Sequence, residues 1–174
     1  MIPRFPSSSN EEAPFEYRRF DEVDPAAFIA LLNRAKIREH LVQHDPFDAT
    51  SINIWIQEKL DVDATAGCRV RAITYQDALV GWCGIQANGD DFELAIVIDE
   101  QHWGIGKRVF QKLMLWARAL GHSEVLIHFL HTRPEYRFLR RVASKVFESE
   151  WLGRTFTSYQ LRVDAFAAPT ARLR

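Results

Sequence analysis

Three strand-like runs separated by almost nothing constrain this chain more than any other feature: "CRVRAITY" (68–75), "ALVGWCGIQ" (78–86) and "FELAIVI" (92–98). Each is rich in β-branched and apolar residues, and the links between them are Gln76-Asp77 and Asn88-Gly89-Asp90. Links that short join neighbouring antiparallel strands. Asn-Gly between β-rich runs favours a tight hairpin because both residues tolerate positive φ. The region therefore predicts an antiparallel meander. The period then changes. After "EQHWGIGKR" (100–108), Val109, Phe110, Leu113, Met114, Trp116, Ala117 and Leu120 recur at helical spacing, and Gly121 suits the C-terminal cap. "EVLIHFL" (124–130) follows as a near-continuous apolar run, the pattern of a strand covered on both faces. Strand, loop, helix and strand make a right-handed crossover whose two strands run parallel.

Elements flank this centre on both sides. "FEYRRF" (15–20) alternates like a strand, and Asp24-Pro25 makes an N-cap and first residue for a helix carrying Phe28, Ile29, Leu31 and Leu32. Asp48 or Thr50 caps a second helix bearing Ile52, Ile54, Trp55, Ile56 and Leu60. A further helix over about 134–145 and a last strand, "TFTSYQLRV" (155–163), complete the pattern. The expected class is α+β: a mixed, mostly antiparallel sheet with helices on both faces. Residues 1–14 read as a flexible arm, 15–165 as one domain and 166–174 as a tail.

The 174 residues carry a net charge of −1, which argues against an electrostatic grip on nucleic acid or an anionic membrane. No run is apolar for the roughly 18 residues that a spanning helix needs, and the start lacks a signal-peptide core. A cytoplasmic location is expected. Cys68 and Cys83, both in strand-like runs, are then expected as reduced core thiols. His40 and His44 are four apart and His128 and His131 three apart, but neither pair has a third firm ligand, so no metal is expected.

The loop at 101–106 has the composition of an anion site. It is not a Walker A loop: Gln101 stands where the first glycine belongs, and Arg108 replaces the magnesium-binding Ser/Thr. It is not a dinucleotide fingerprint either, because Val109 replaces the third glycine. Gln101-His102-Trp103-Gly104-Ile105-Gly106 matches Gln/Arg-x-x-Gly-x-Gly/Ala, and so resembles motif A of the GCN5-related N-acetyltransferase (GNAT) superfamily. The resemblance extends over roughly residues 15–163 in the order of elements. It implies acetyl-CoA as acyl donor and a cleft where the fourth and fifth strands splay. It further implies pantetheine contacts at Ile96, Val97 and Ile98, and a diphosphate held by Gln101, His102, Trp103, Gly104, Ile105, Gly106 and Lys107. Glycines would let backbone N–H groups approach the phosphates without a Cβ between, and the helix N-terminus adds its dipole.

Acetyl transfer to an amine needs a base for the ammonium proton, donors for the thioester carbonyl and an acid for the leaving thiolate. Glu93 is the one ionisable residue within "FELAIVI" and is the candidate base; the competing reading pairs it with Arg69 or Arg71. Tyr136 is the candidate acid, although "VASKVFE" (142–148) has Val146 where the family usually has glycine. Glu39, His40, Asp45 and His131 could face the acceptor. The resemblance implies a small-molecule or peptide amine as acceptor, and dimers are common in the superfamily. The alternative is a non-catalytic acyl-CoA-binding regulatory protein on the same fold.

Overall fold

A computed structural model describes residues 15–40, 44–133 and 135–166. The expected arm at 1–14 and all of the expected tail except Phe166 lie outside the described residues. The meander forms as its turns dictate. Strands β2 (Arg69–Tyr75), β3 (Ala78–Asn88) and β4 (Asp91–Ile98) are joined by two-residue turns. Gln76 and Asp77 both take left-handed φ, 49° and 62°, the geometry whose twist matches the flanking strands. In the second turn the left-handed residue is Gly89, at φ 62°, while Asn88 stays in β3 opposite Asp91.

Before the meander come β1 (Glu16–Arg18), α1 (Pro25–Leu32), α2 (Ala35–Glu39) and α3 (Ala49–Asp63). The Asp24 side chain accepts from Ala26 N–H at 2.9 Å, with Pro25 at the first helical position. Asp48 accepts from Thr50 and Ser51 N–H at 2.9 and 2.8 Å, and Ser51 Oγ accepts from Asp48 N–H in return. Two orphan donors of α3 are thereby satisfied. After β4, a 3-10 turn (Glu100–Ile105) runs into α4 (Gly106–Ala119), followed by β5 (Glu124–Leu130).

The C-terminal third departs from expectation. Instead of a helix over 134–145 there is one short helix, α5 (Arg137–Val142), and the chain turns at once into an edge strand, β6 (Ala143–Trp151). "VASKVFE" is thus mostly strand. A turn at Leu152 and Gly153, φ 49° and 71°, leads to β7 (Arg154–Arg162). The seven strands form one sheet in the order β1-β2-β3-β4-β5-β7-β6. Every neighbouring pair is antiparallel except β4 and β5.

Both faces of this sheet are covered. Val109, Phe110, Leu113, Met114 and Ala117 of α4 pack with Leu139 of α5 on Ile85, Leu94, Val125, Ile127, Tyr159 and Leu161. On the other face Phe28 and Leu32 of α1 and Ile52 and Ile56 of α3 pack on Val70, Ala72, Trp82 and Val97. Among the described residues no helix is long and apolar enough to cross a membrane.

Gly81 is what lets β3 lie close to β4, since a Cβ there would stand 2.3 Å from the Val97 carbonyl oxygen. Gly81→Ala must push the two strands apart and is expected to destabilise the protein by about 1–3 kcal/mol, the range for overpacking. A chemical denaturation midpoint indistinguishable from wild type would refute this.

Candidate active site

Parallel pairing between β4 and β5 lasts only two positions, Glu93↔Leu126 and Leu94↔Ile127. Beyond Leu94 the two strands separate, leaving an open edge on β4. Which groups line that edge follows from the ladder. Asp99 N–H donates to the Val80 carbonyl at 2.8 Å, so backbone groups of residues 99, 97 and 95 point to β3. Ile96 and Ile98 therefore present N–H and C=O to the open edge, and Val97 does not. The Ile98 carbonyl already accepts from the indole Nε1 of Trp103, at 3.0 Å.

The glycine loop is wound, not open. Asp99 is its N-cap: Oδ1 accepts from Gln101 N–H at 3.1 Å, and the Asp99 carbonyl accepts from His102 N–H at 2.8 Å. Gly106 N–H donates to the Trp103 carbonyl, which joins the 3-10 turn to α4 without a break. No side chain caps α4. Gln101, Trp103, Gly104 and Lys107 are exposed, while Ile105 is buried in the core. A Cβ on Gly104 would meet no heavy atom within 4 Å, and one on Gly106 only Ile98 Cδ1 at 3.9 Å. The His102 ring turns inward, 5.9 Å from Tyr75 and 6.5 Å from Phe15.

Asp99 also ties this turn to the opposite wall. It is buried, and its Oδ2 accepts from Arg34 Nη1, which arrives from the link between α1 and α2. Nothing local in the sequence shows this pair. On the same wall His40 Nδ1 lies 3.2 Å from Thr132 Oγ1, just past β5, and its ring is 6.4 Å from Trp103. Burial, and next the Arg133 guanidinium, hold the His40 imidazole below its ordinary pKa. The end of α2, the exit of β5 and the glycine turn thus converge where β4 and β5 part. His131 instead binds back along the sheet, with Nδ1 3.3 Å from the Thr155 carbonyl, and His44 Nδ1 sits 2.7 Å from the Asp45 carbonyl.

Glu93 stands at the last paired positions, on the α1–α3 face. Its Oε2 accepts from Asn88 Nδ2 at 3.0 Å and lies 3.4 Å from His128 Nε2. The alternative pairing with Arg69 or Arg71 does not form: Arg71 binds Asp63 at 2.6 Å, and Arg69 lies over the Trp116 ring. Across from Glu93, Lys59 of α3 donates to Gln86 Oε1 and rests over Trp82 at 4.8 Å. Burial lowers the Lys59 pKa, and the Glu93 carboxylate partly offsets this.

Tyr136 is exposed at the N-cap of α5, its ring 4.8 Å from Phe129 near the end of β5. Sequence reasoning passed over a second phenol, Tyr159 of β7, which is buried opposite Ile127 of β5 and has its pKa raised by that burial. Both cysteines are free and buried, and burial pushes the Cys83 thiol far above its ordinary pKa, so it is no nucleophile. Among the described residues no three His, Cys, Asp or Glu side chains converge as a metal site.

No protein-family model matches the chain, and no curated protein matches it by sequence. Solved structures do match. A ribosomal L7/L12 alpha-N-protein acetyltransferase in complex with coenzyme A is 17% identical over 87% of this chain and 93% of its own, with a TM-score of 0.69. An acetyltransferase of the GNAT family from Streptococcus pneumoniae is 14% identical over 85% and 98%, with a TM-score of 0.58. An N-acetyltransferase from Thermoplasma acidophilum in complex with coenzyme A is 13% identical over 84% and 99%, with a TM-score of 0.56. The fold they share with this chain is the GNAT fold.

Proposed function

We propose that this chain, built on the GNAT fold, is an N-acetyltransferase that moves the acetyl group of acetyl-CoA directly to a primary amine. The observation that carries the reading is the early end of the β4–β5 pairing, which exposes the backbone edge of Ile96 and Ile98 beside the glycine turn. An extended pantetheine arm with its amides can bond such an edge as an added strand would. Ile96 and Ile98, and not Val97, carry these bonds. The Ile98 carbonyl has a second lone pair beside the one that Trp103 uses. The diphosphate lies against Gly104 and Gly106, where no Cβ intervenes, with the exposed Lys107 beside them.

In the reaction, Glu93 takes a proton from the acceptor ammonium, directly or through water. The freed amine nitrogen attacks the thioester carbon, an edge N–H such as that of Ile96 stabilises the carbonyl oxygen, and the C–S bond breaks. The thiolate leaves with a proton from Tyr136 or from water, and the second proton that the nitrogen sheds as it becomes an amide replaces the one given up. Arg34, His40 and Thr132 stand on the side where the acceptor enters.

Isothermal titration with acetyl-CoA tests the donor assignment: saturable heat is expected below about 100 µM ligand, within the usual micromolar-to-millimolar range. A flat titration refutes it. Release of free CoA with some member of an amine panel then separates an enzyme from a non-catalytic acyl-CoA binder, which would bind and release none.

A further inference from the structure

One buried ring nitrogen beside Glu93 has no hydrogen-bond partner. His128 of β5 is held at its other nitrogen: Nδ1 lies 2.6 Å from Ser158 Oγ on β7. Ser158 is fully buried, and its Oγ lies 3.0 Å from Ser149 Oγ on β6. His128 Nε2 is buried without a hydrogen bond, 3.4 Å from Glu93 Oε2. Four strands, β4, β5, β7 and β6, thus each contribute one polar side chain to a row across the sheet. A buried polar atom left unpaired costs stability, and a group kept in that state calls for a reason.

We propose that His128 receives at Nε2 the proton that Glu93 takes from the acceptor ammonium, with Ser158 and Ser149 fixing the ring; this rests on the N-acetyltransferase reading above. In this scheme the ring is the Nδ1–H tautomer: Nδ1–H donates to Ser158 Oγ, Ser158 donates to Ser149 Oγ, and the Nε2 lone pair faces the carboxylate. The ammonium N–H bond breaks as the Glu93 O–H bond forms. That O–H bond then breaks as Nε2–H forms, leaving a carboxylate beside an imidazolium. Glu93 is again an anion while the amine attacks. When the products leave, the same proton returns through Glu93 to water. One proton enters the pair, one leaves, and nothing is oxidised. His128 acts through Glu93 and is a positioning residue in this scheme, as are Ser158 and Ser149.

The charged groups facing the pair are Asp91 and Glu93 on β4 and, toward Glu93, Lys59 on α3. Burial lowers the His128 pKa below 6.5, while Glu93 and Asp91 oppose the shift. The ring is therefore neutral near pH 7 and free to accept. As pH falls through that lowered value the ring protonates in advance, and kcat/KM is lost on the acid side.

Two measurements on the full chain decide the matter. Side-chain nitrogen NMR of the histidines, without ligand, should show the His128 midpoint falling further in Glu93→Gln, because the opposing charge is gone; an unmoved midpoint overturns the coupling. His128→Gln should lower kcat by roughly 10- to 100-fold, the usual worth of a group that orients and tunes its neighbour. Its acetyl-CoA affinity should be unchanged, and its acid limb should shift by about a pH unit or more. Ser158→Ala should displace the same limb by less, and serves if His128→Gln does not fold. A wild-type acid limb in the folded variants overturns the proposal. A wild-type protein that binds no acetyl-CoA overturns the acyltransferase reading itself and the catalytic role of the pair with it, whereas the NMR coupling is scored independently.

Discussion

Glu93→Gln is expected to lower turnover by roughly 10² to 10⁴-fold while acetyl-CoA affinity stays within a few-fold. The substitution keeps the size of the side chain and most of its hydrogen bonding, and removes only the capacity to hold a proton. Its oxygen still accepts from Asn88, and Lys59 nearby keeps its bond to Gln86. Affinity is spared because the donor contacts proposed for β4 are backbone groups of Ile96 and Ile98, beyond the position where β5 pairs with Glu93 and Leu94. Stopped-turnover assays of CoA release beside calorimetry separate the two quantities. Near-normal turnover in Glu93→Gln would move the base to a water chain on the His40 side of the cleft.

What was legible in the sequence and what was not divides along physical lines. The meander was legible because its links, Gln76-Asp77 and Asn88-Gly89-Asp90, are too short for anything but antiparallel neighbours. Helix α4 was legible from its single apolar face, and α1 and α3 from Asp24 and Asp48, whose side chains cap as expected. Strand β6 was not. It is a sheet edge with Ser144, Lys145, Glu148 and Glu150 exposed, so its alternation is weak. Leu139, Val142 and Val146, three and four apart, carried the helical period on into it. The loop motif marked the turn but hid its winding, since Gln101 N–H is capped by the carboxylate of Asp99, just outside the motif. Long-range partners were out of reach altogether. Arg34 meets Asp99 across 65 positions, and His128 meets Ser158 only because β7 inserts between β5 and β6. Without that strand order, His128 looked like half of a poor metal pair.

Gly104→Val and Gly106→Val are expected to abolish acetyl-CoA binding without loss of fold. A glycine can be needed for its backbone or for its missing side chain, and these two need only the second. The left-handed glycines of the described chain are Gly67, Gly89, Gly121 and Gly153. Gly106 has the helical angles φ −52° and ψ −39°, open to any residue. Steric relief within the protein is no reason either, because an added Cβ finds open space at Gly104 and ordinary contact at Gly106. Glycine in helical backbone costs about 0.5–1 kcal/mol relative to alanine, so the chain would gain stability from a side chain here. In the proposed function the bare backbone serves a ligand instead: a diphosphate drawn to the helix N-terminus would pack against the turn where α4 begins. Thermal unfolding should place both variants at or near the wild-type midpoint, in contrast to Gly81→Ala, while calorimetry shows no saturable heat with acetyl-CoA. Normal binding by either valine variant would remove that glycine from the diphosphate site.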